Sequence, residues 1–287
     1  MASLKDLRRR IRATKSMQQI FKAMEMVAAA KLRRAQARAQ SASPYSAKIS
    51  EMLANLSESA AELQHPLFKV REVQVTALVV ITSDRGFAGA YNTTLLRAAE
   101  QKLRAAGPGA IQCVVVGRKG RDYLRRRGHA VLAAHTDLPG EASLELARRI
   151  TNDLTERFMN GEVDRVEILY SHFVNAIVRR VTNETFLPIG PDATKGKAGA
   201  SRGAAMFEPN AEAIFAELLP CYATAKLYAA MADALASEHS ARMVAMGSAR
   251  KNAGELVDSL TLTRNRLRQA MITREISELV AGAEALK

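Results

Sequence analysis

The stretch of this sequence closest to a chemical site runs Thr82-Ser83-Asp84-Arg85-Gly86-Phe87-Ala88-Gly89-Ala90-Tyr91-Asn92. A glycine-containing loop between a strand and a helix is the usual setting for phosphate binding, because backbone N–H groups can close on the anion there. Gly86 and Gly89 have neither the G-x-G-x-x-G spacing of a dinucleotide site nor the GK[ST] ending of a P-loop. The glycines read as tight-turn residues, and Asp84 and Arg85 serve either the turn or a protein contact. The five histidines, His65, His129, His135, His172 and His239, are scattered, with no i, i+4 pair and no acidic neighbour at metal-ligand spacing. Cys113 and Cys221 sit among apolar neighbours 108 positions apart, as buried thiols in a reducing compartment would. No G-x-S-x-G nucleophile motif occurs. The residues therefore assign no catalytic centre, no cofactor and no metal. A different kind of surface is offered by Arg264, Arg266, Arg268 and Gln269, followed by Thr273 and Arg274, which form a basic, hydrogen-bonding band.

The elements that must carry that band are long. From Cys221 to Lys287 the chain has 67 residues without a proline, which as one helix would span roughly 100 Å. Apolar positions step by three and four through Met246, Ala249, Ala253, Leu256 and Leu260, then continue through Leu267, Met271, Ile276, Leu279 and Ala283, as in a coiled-coil seam. Such a seam needs a partner. Leu4, Leu7, Ile11, Thr14, Met17, Phe21, Met24, Ala28 and Leu32 keep a similar spacing with no proline before Pro44, so the two terminal helices are expected to pair antiparallel. The same stripes would also suit core faces of a helical bundle. Length favours the coil, since globular helices usually run 8 to 20 residues.

Of the net charge of +13, residues 1–60 supply 12 basic against 4 acidic groups, and residues 210–287 supply 9 of each. The excess thus lies on the N-terminal helix, which points to an acidic partner: nucleic acid, an anionic membrane surface or an acidic protein loop. No stretch approaches the 18 or so apolar residues of a membrane span. The arginine-rich opening from Met1 to Ser16 could suit a transit peptide, but its apolar pattern continues unbroken into the first helix.

Taken in order, residues 1–64 read as an N-terminal helix starting at a Ser3 cap, with a kink or interruption at Pro44. Residues 73–187 read as an α/β domain of alternating strands and helices, its last two strands adding a hairpin at one sheet edge. Residues 188–206 form a Gly/Ala/Lys/Ser-rich loop, and residues 207–287 the C-terminal helix, with Pro220 separating a short helix from the long one. The fold class expected is an antiparallel coiled coil of the chain ends with an inserted Rossmann-like α/β domain.

Four motifs then carry a resemblance: Lys22-Ala23-Met24-Glu25-Met26-Val27-Ala28-Ala29-Ala30-Lys31, the Thr82–Asn92 loop, Ala236-Ser237-Glu238-His239-Ser240-Ala241-Arg242-Met243, and Asn265-Arg266-Leu267-Arg268-Gln269-Ala270-Met271-Ile272-Thr273 with Glu275-Ile276. Together, in this order, they resemble the gamma subunits of F-type ATP synthases, of the bacterial type. The resemblance implies a rotor lying in a ring of alpha and beta subunits, with epsilon and the c-ring at its foot and the cytoplasmic face of the bacterial plasma membrane as its place. It implies that the chain itself binds no nucleotide. It also implies contacts to beta subunits through Lys22, Met24, Lys31, Arg268, Gln269 and Thr273, a brace at Arg242, and a seam that includes Leu4, Leu7, Ile11, Phe21, Met246, Leu256, Leu260 and Leu267. Against the family, Gly247-Ser248-Ala249-Arg250-Lys251-Asn252 is more basic and carries a glycine, and the cysteine-bearing regulatory insert of chloroplast members is missing. A basic coiled-coil protein binding nucleic acid is the alternative, although Phe21 is the only aromatic before Tyr45 that could stack on bases. A nucleotide-dependent α/β enzyme rests on the strand-loop-helix pattern alone.

Overall fold

A computed structural model describes residues 3–59, 65–189 and 211–284. Its elements are α1 (Leu4–Ser59), β1 (Thr76–Ile81), α2 (Tyr91–Ala106), β2 (Ile111–Val116), α3 (Arg118–Arg126), β3 (Val131–His135), α4 (Leu144–Met159), β4 (Arg165–Phe173), β5 (Arg179–Leu187) and α5 (Ala211–Glu284). The chain divides into two compact units, one of residues 1–28 with 243–287, the other of residues 29–242.

In the larger unit the sheet order is β3-β2-β1-β4-β5, parallel except for the antiparallel β4–β5 hairpin at one edge. All six residues of β1 are buried, which is why its sequence is a continuous run of branched and apolar residues and not an alternating one. One side of the sheet packs on α4 through Ala147, Ile150, Leu154 and Phe158, together with Leu219, Tyr222, Ala223 and Leu227 of α5. On the other side α2 covers Leu78 and Val80 with Leu95, Leu96 and Ala99. Gly117 turns the chain from β2 into α3 at φ +103°, and a Cβ there would meet the Thr82 carbonyl oxygen at 2.4 Å. Only glycine fits that position.

Two expected breaks do not occur. Helix α1 is continuous through Pro44, and Ile49 beyond it is buried in the core of the larger unit, which holds the helix on the far side. Helix α5 likewise continues through Pro220. An interior proline removes a hydrogen bond and costs about 3 kcal/mol, but the flanking Leu219, Tyr222 and Ala223 are all buried, and that packing outweighs it. The loop expected over residues 188–206 lies, apart from residues 188 and 189, outside the described residues.

In the smaller unit α1 begins behind Ser3, whose Oγ accepts from the Asp6 N–H at 3.1 Å and donates to the Asp6 carboxylate at 2.9 Å. The two chain ends run antiparallel here: Glu25 lies against Gly247 and Arg250, and Gln18, a heptad earlier, against Gly254, a heptad later.

Candidate functional site

The seam of the smaller unit is a strict three-four repeat on both helices. On α1 the inward positions are Leu4, Leu7, Ile11, Thr14, Gln18, Phe21, Glu25 and Ala28, and on α5 they are Met246, Arg250, Ala253, Val257, Leu260, Arg264 and Leu267, all buried or half-buried. The structure corrects the expected seam at Met17 and Leu256, and over its last turns, where Met271, Ile276, Leu279 and Ala283 are exposed because α1 does not reach them. Leu256 is 49 % exposed and its neighbour Val257 is 7 % exposed; Met17 is 47 % exposed while Gln18 turns inward. An apolar-only reading steps over Arg250 and Arg264 and so loses the heptad phase by one residue. Leu7, Ile11 and Met246 are buried; Leu4, Phe21, Leu260 and Leu267 are half-buried.

From Arg268 to Ala283 every residue of α5 is exposed, including Met271, Ile272, Ile276, Leu279 and Val280. The antiparallel register brings the start of α1 opposite the beginning of this stretch, so about 24 Å of helix has no neighbour among the described residues. Arg268, Gln269 and Thr273 lie on it with their side chains open to contact. On α1, Lys22 is exposed and Met24 half-buried.

In the larger unit the Thr82–Asn92 loop is a clamp. Ser83 accepts from and donates to Asn92, whose amide donates to the Ser83 Oγ at 2.8 Å. The Asp84 carboxylate accepts from the Arg118 N–H at 2.7 Å and from the Leu138 N–H at 2.6 Å, gathering the turns that follow β2 and β3. The Thr82 hydroxyl donates to the Val116 carbonyl at 3.0 Å. The phenol of Tyr91 donates to the Ala234 carbonyl at 3.2 Å, so a tyrosine and α5 narrow the crevice at the carboxyl ends of the strands, where open α/β sheets bind ligands, to a cavity of about 30 Å³ beside Ile81, Thr82 and Val116.

Arg242 is the hub of this region. Its guanidinium donates to Glu238 at 2.6 Å, to the Gly86 carbonyl at 3.2 and 3.3 Å, and to Nδ1 of His239 at 3.2 Å. Because arginine only donates, His239 must present an unprotonated Nδ1. Burial, with the Arg242 and Lys31 charges, lowers the His239 pKa to about 4. Burial raises that of Glu238, against the opposing pull of Arg242. The loop so held carries Phe87 at φ +61° and 70 % exposed, an outward aromatic in a conformation that bulky residues rarely adopt. Sequence reasoning missed Phe87; the position within a glycine-flanked turn was the available signal. Lys31 is half-buried in a cleft of about 190 Å³ with Arg34, Arg38 and Glu141 of the same unit. Arg38 is paired with Glu141 there.

Among the described residues no group of three His, Cys, Asp or Glu side chains could hold a metal ion, and no helix is long and apolar enough to cross a membrane. Cys113 is buried, with its thiol pushed up to about 11, whereas Cys221 is exposed, contrary to the expectation of two buried thiols. It points away from the core because Tyr222 and Ala223 take the inward face.

Two paired chain ends with a long exposed helix, joined to an α/β domain, define a class: proteins that work through contact surfaces on a helical coil. A family model described as ATP synthase matches residues 3–286. The chain is 45 % identical to the ATP synthase gamma chain of Desulforamulus reducens and 45 % identical to that of Moorella thermoacetica, with all of this chain and all of each relative covered. Among solved structures it is similar to a central-stalk chain of the Tetrahymena thermophila mitochondrial ATP synthase, at TM-score 0.64 and 26 % identity over 80 % of this chain and 99 % of that one. A chain of the Euglena gracilis mitochondrial ATP synthase shares the fold, at TM-score 0.73 and 20 % identity over 99 % and 94 % of the two chains. The chain belongs to the gamma-chain family of ATP synthases, non-catalytic stalk subunits of the two-sector ATPase. Nothing in these comparisons supports a nucleic-acid binder.

Proposed function

We propose that this chain is the central-stalk rotor of a bacterial ATP synthase, coupling proton-driven rotation of a c-ring to the catalytic cycle of an alpha/beta head. The carrying observation is the family match along the whole chain, joined to a helix pair whose C-terminal end is uncovered over a length suited to a ring of partners. Relatives bear the name of the gamma chain, and structural neighbours lie in a central stalk with a c-ring and in an assembly of OSCP, F1 and c-ring. Partners on this reading are alpha, beta and epsilon subunits and the c-ring. The place is the cytoplasmic face of the bacterial plasma membrane, held peripherally through the complex.

Rotation selects among catalytic states only through contacts that differ between them. An exposed surface fixed on a stiff helix can make such contacts without chemistry of its own. We assign this role to Lys22, Met24 and Lys31 on α1 and to Arg268, Gln269 and Thr273 on α5, with Arg242 as the brace that ties α5 to the 82–92 loop. The test is an engineered disulfide pinning the exposed part of α5 to a beta subunit. Multisite ATP turnover should stop and return on reduction; undiminished turnover with the crosslink formed would refute the rotor reading.

A further inference from the structure

The smaller unit holds its two helices together with a seam that is polar at its middle. Two layers one heptad apart have the same composition: a long polar side chain on α1 faces a glycine on α5, Glu25 against Gly247 and Gln18 against Gly254. A Cβ at Gly247 would lie 3.2 Å from the Glu25 Oε1, and one at Gly254 would lie 2.9 Å from the Gln18 Nε2. The glycines thus open the space into which these side chains fold. Glu25 is then fixed by Arg250, whose Nε donates to its carboxylate at 2.8 Å. Arg250 itself occupies an inward position of the heptad, half-buried between Met246 and Ala253.

We propose that Glu25 and Arg250 form a shear lock that positions the two helices axially. Twisting a two-stranded coil about its axis slides one strand along the other. Apolar layers resist sliding weakly, because one methyl group replaces another at similar energy. A carboxylate seated beside a glycine and held by a guanidinium has one favourable offset, since a shift of one heptad places Glu25 among Ala253, Gly254 and Val257, with no cation to meet it. A polar pair at a seam position specifies register in this way at some cost in apolar burial.

The inference concerns the helix pair itself, so its failure would leave the family membership and the rotor reading untouched. The test uses the full-length chain with Cys113→Ala and Cys221→Ser, spin labels on cysteines replacing the exposed Lys15 and Asp258, and pulsed electron-electron distance measurement. The parent should give one narrow distance. Glu25→Gln, which keeps the side-chain shape, and Arg250→Met should each broaden the distribution by about half or add a second, longer distance, because an axial slide of one heptad, about 10 Å of helix rise, adds in quadrature to the separation across the coil. The exchanged pair E25R/R250E should restore the parent width. An unchanged width in both single variants, with helical circular dichroism retained, would overturn the proposal. So would an exchanged pair that remains as broad as the singles.

Discussion

The core of the larger unit and the seam of the smaller one are built on opposite principles. Around β1 and β2 the apolar side chains from Ala77 to Val80 and from Val114 to Val116 have no exposed surface, and layers on both sides exclude water. In the seam three of eight inward positions on α1 are Thr14, Gln18 and Glu25, and two of seven on α5 are arginines. The first arrangement draws its stability from buried area at about 25 cal/mol per Å². The second has little such area, so its geometry depends on which polar groups meet. A domain that anchors can be over-packed, whereas a helix pair that works by its outer surface gains more from a defined alignment than from depth.

The comparison can be broken most forcefully at Arg242. Arg242→Ala would leave Glu238, 9 % exposed, buried without its cation, and should cost about 3–5 kcal/mol in thermal or urea unfolding. Adding Glu238→Gln should recover part of that. Loss below 1 kcal/mol would show the hub to be more hydrated than its burial indicates.

Next in size is a matched pair of truncations. Leu154→Ala, at a position with no exposed surface, should cost about 2–5 kcal/mol. Val257→Ala in the seam removes two methyl groups and should cost about 1–2 kcal/mol. Equal losses by calorimetry would contradict the contrast between the two regions.

His239 sharpens it through pH. Its folded-state pKa, lowered to about 4 from 6.5, means that the unfolded chain binds the extra proton first. Its contribution is therefore complete above the unfolded value and is lost as pH falls from about 6.5 towards 4. The wild type should lose roughly 2–3 kcal/mol of stability over that window beyond what His239→Gln loses. Parallel pH profiles for the two proteins would dismiss this. Glu238 acts in the other direction, since a raised carboxylate pKa weakens stability as pH rises through it.

A smaller stability effect belongs to the seam glycines. Gly254→Ala meets only the movable end of Gln18 and should stabilise by up to about 1 kcal/mol through helix propensity. Gly247→Ala should gain less, because the carboxylate it presses on is held by Arg250. Arg268→Ala with Gln269→Ala lies on exposed helix and should leave stability within about 0.5 kcal/mol. In the assembled complex the same double variant should reduce ATP-driven proton pumping; normal pumping would remove both residues from the contact surface.

Much of this was legible in the chain, in places for reasons that can be named. The β1 run reads as a doubly buried strand because a branched, unbroken apolar stretch has few other homes. The last two strands read as an edge hairpin, and the pairing of β4 with β5 is antiparallel. The seam was readable only where it is apolar. Once Arg250 and Arg264 were passed over, the phase moved to Leu256, since nothing in an isolated arginine marks it as facing inward. Pro44 and Pro220 look like helix ends because local propensity ignores the packing of Ile49, Leu219 and Tyr222.

The amino-acid sequence determined the helical periodicity of both chain ends, the strand-helix alternation and the motifs that mark the family, because these depend on periodicity and short-range spacing. Tertiary structure alone decided that Arg242 grips a loop 156 positions earlier in the chain, that Glu25 folds over Gly247, and that Asp84 gathers the turns after β2 and β3. Each of those outcomes turns on which groups meet after leaving water. That selection is made by the packed chain as a whole, and no window of neighbouring residues contains it.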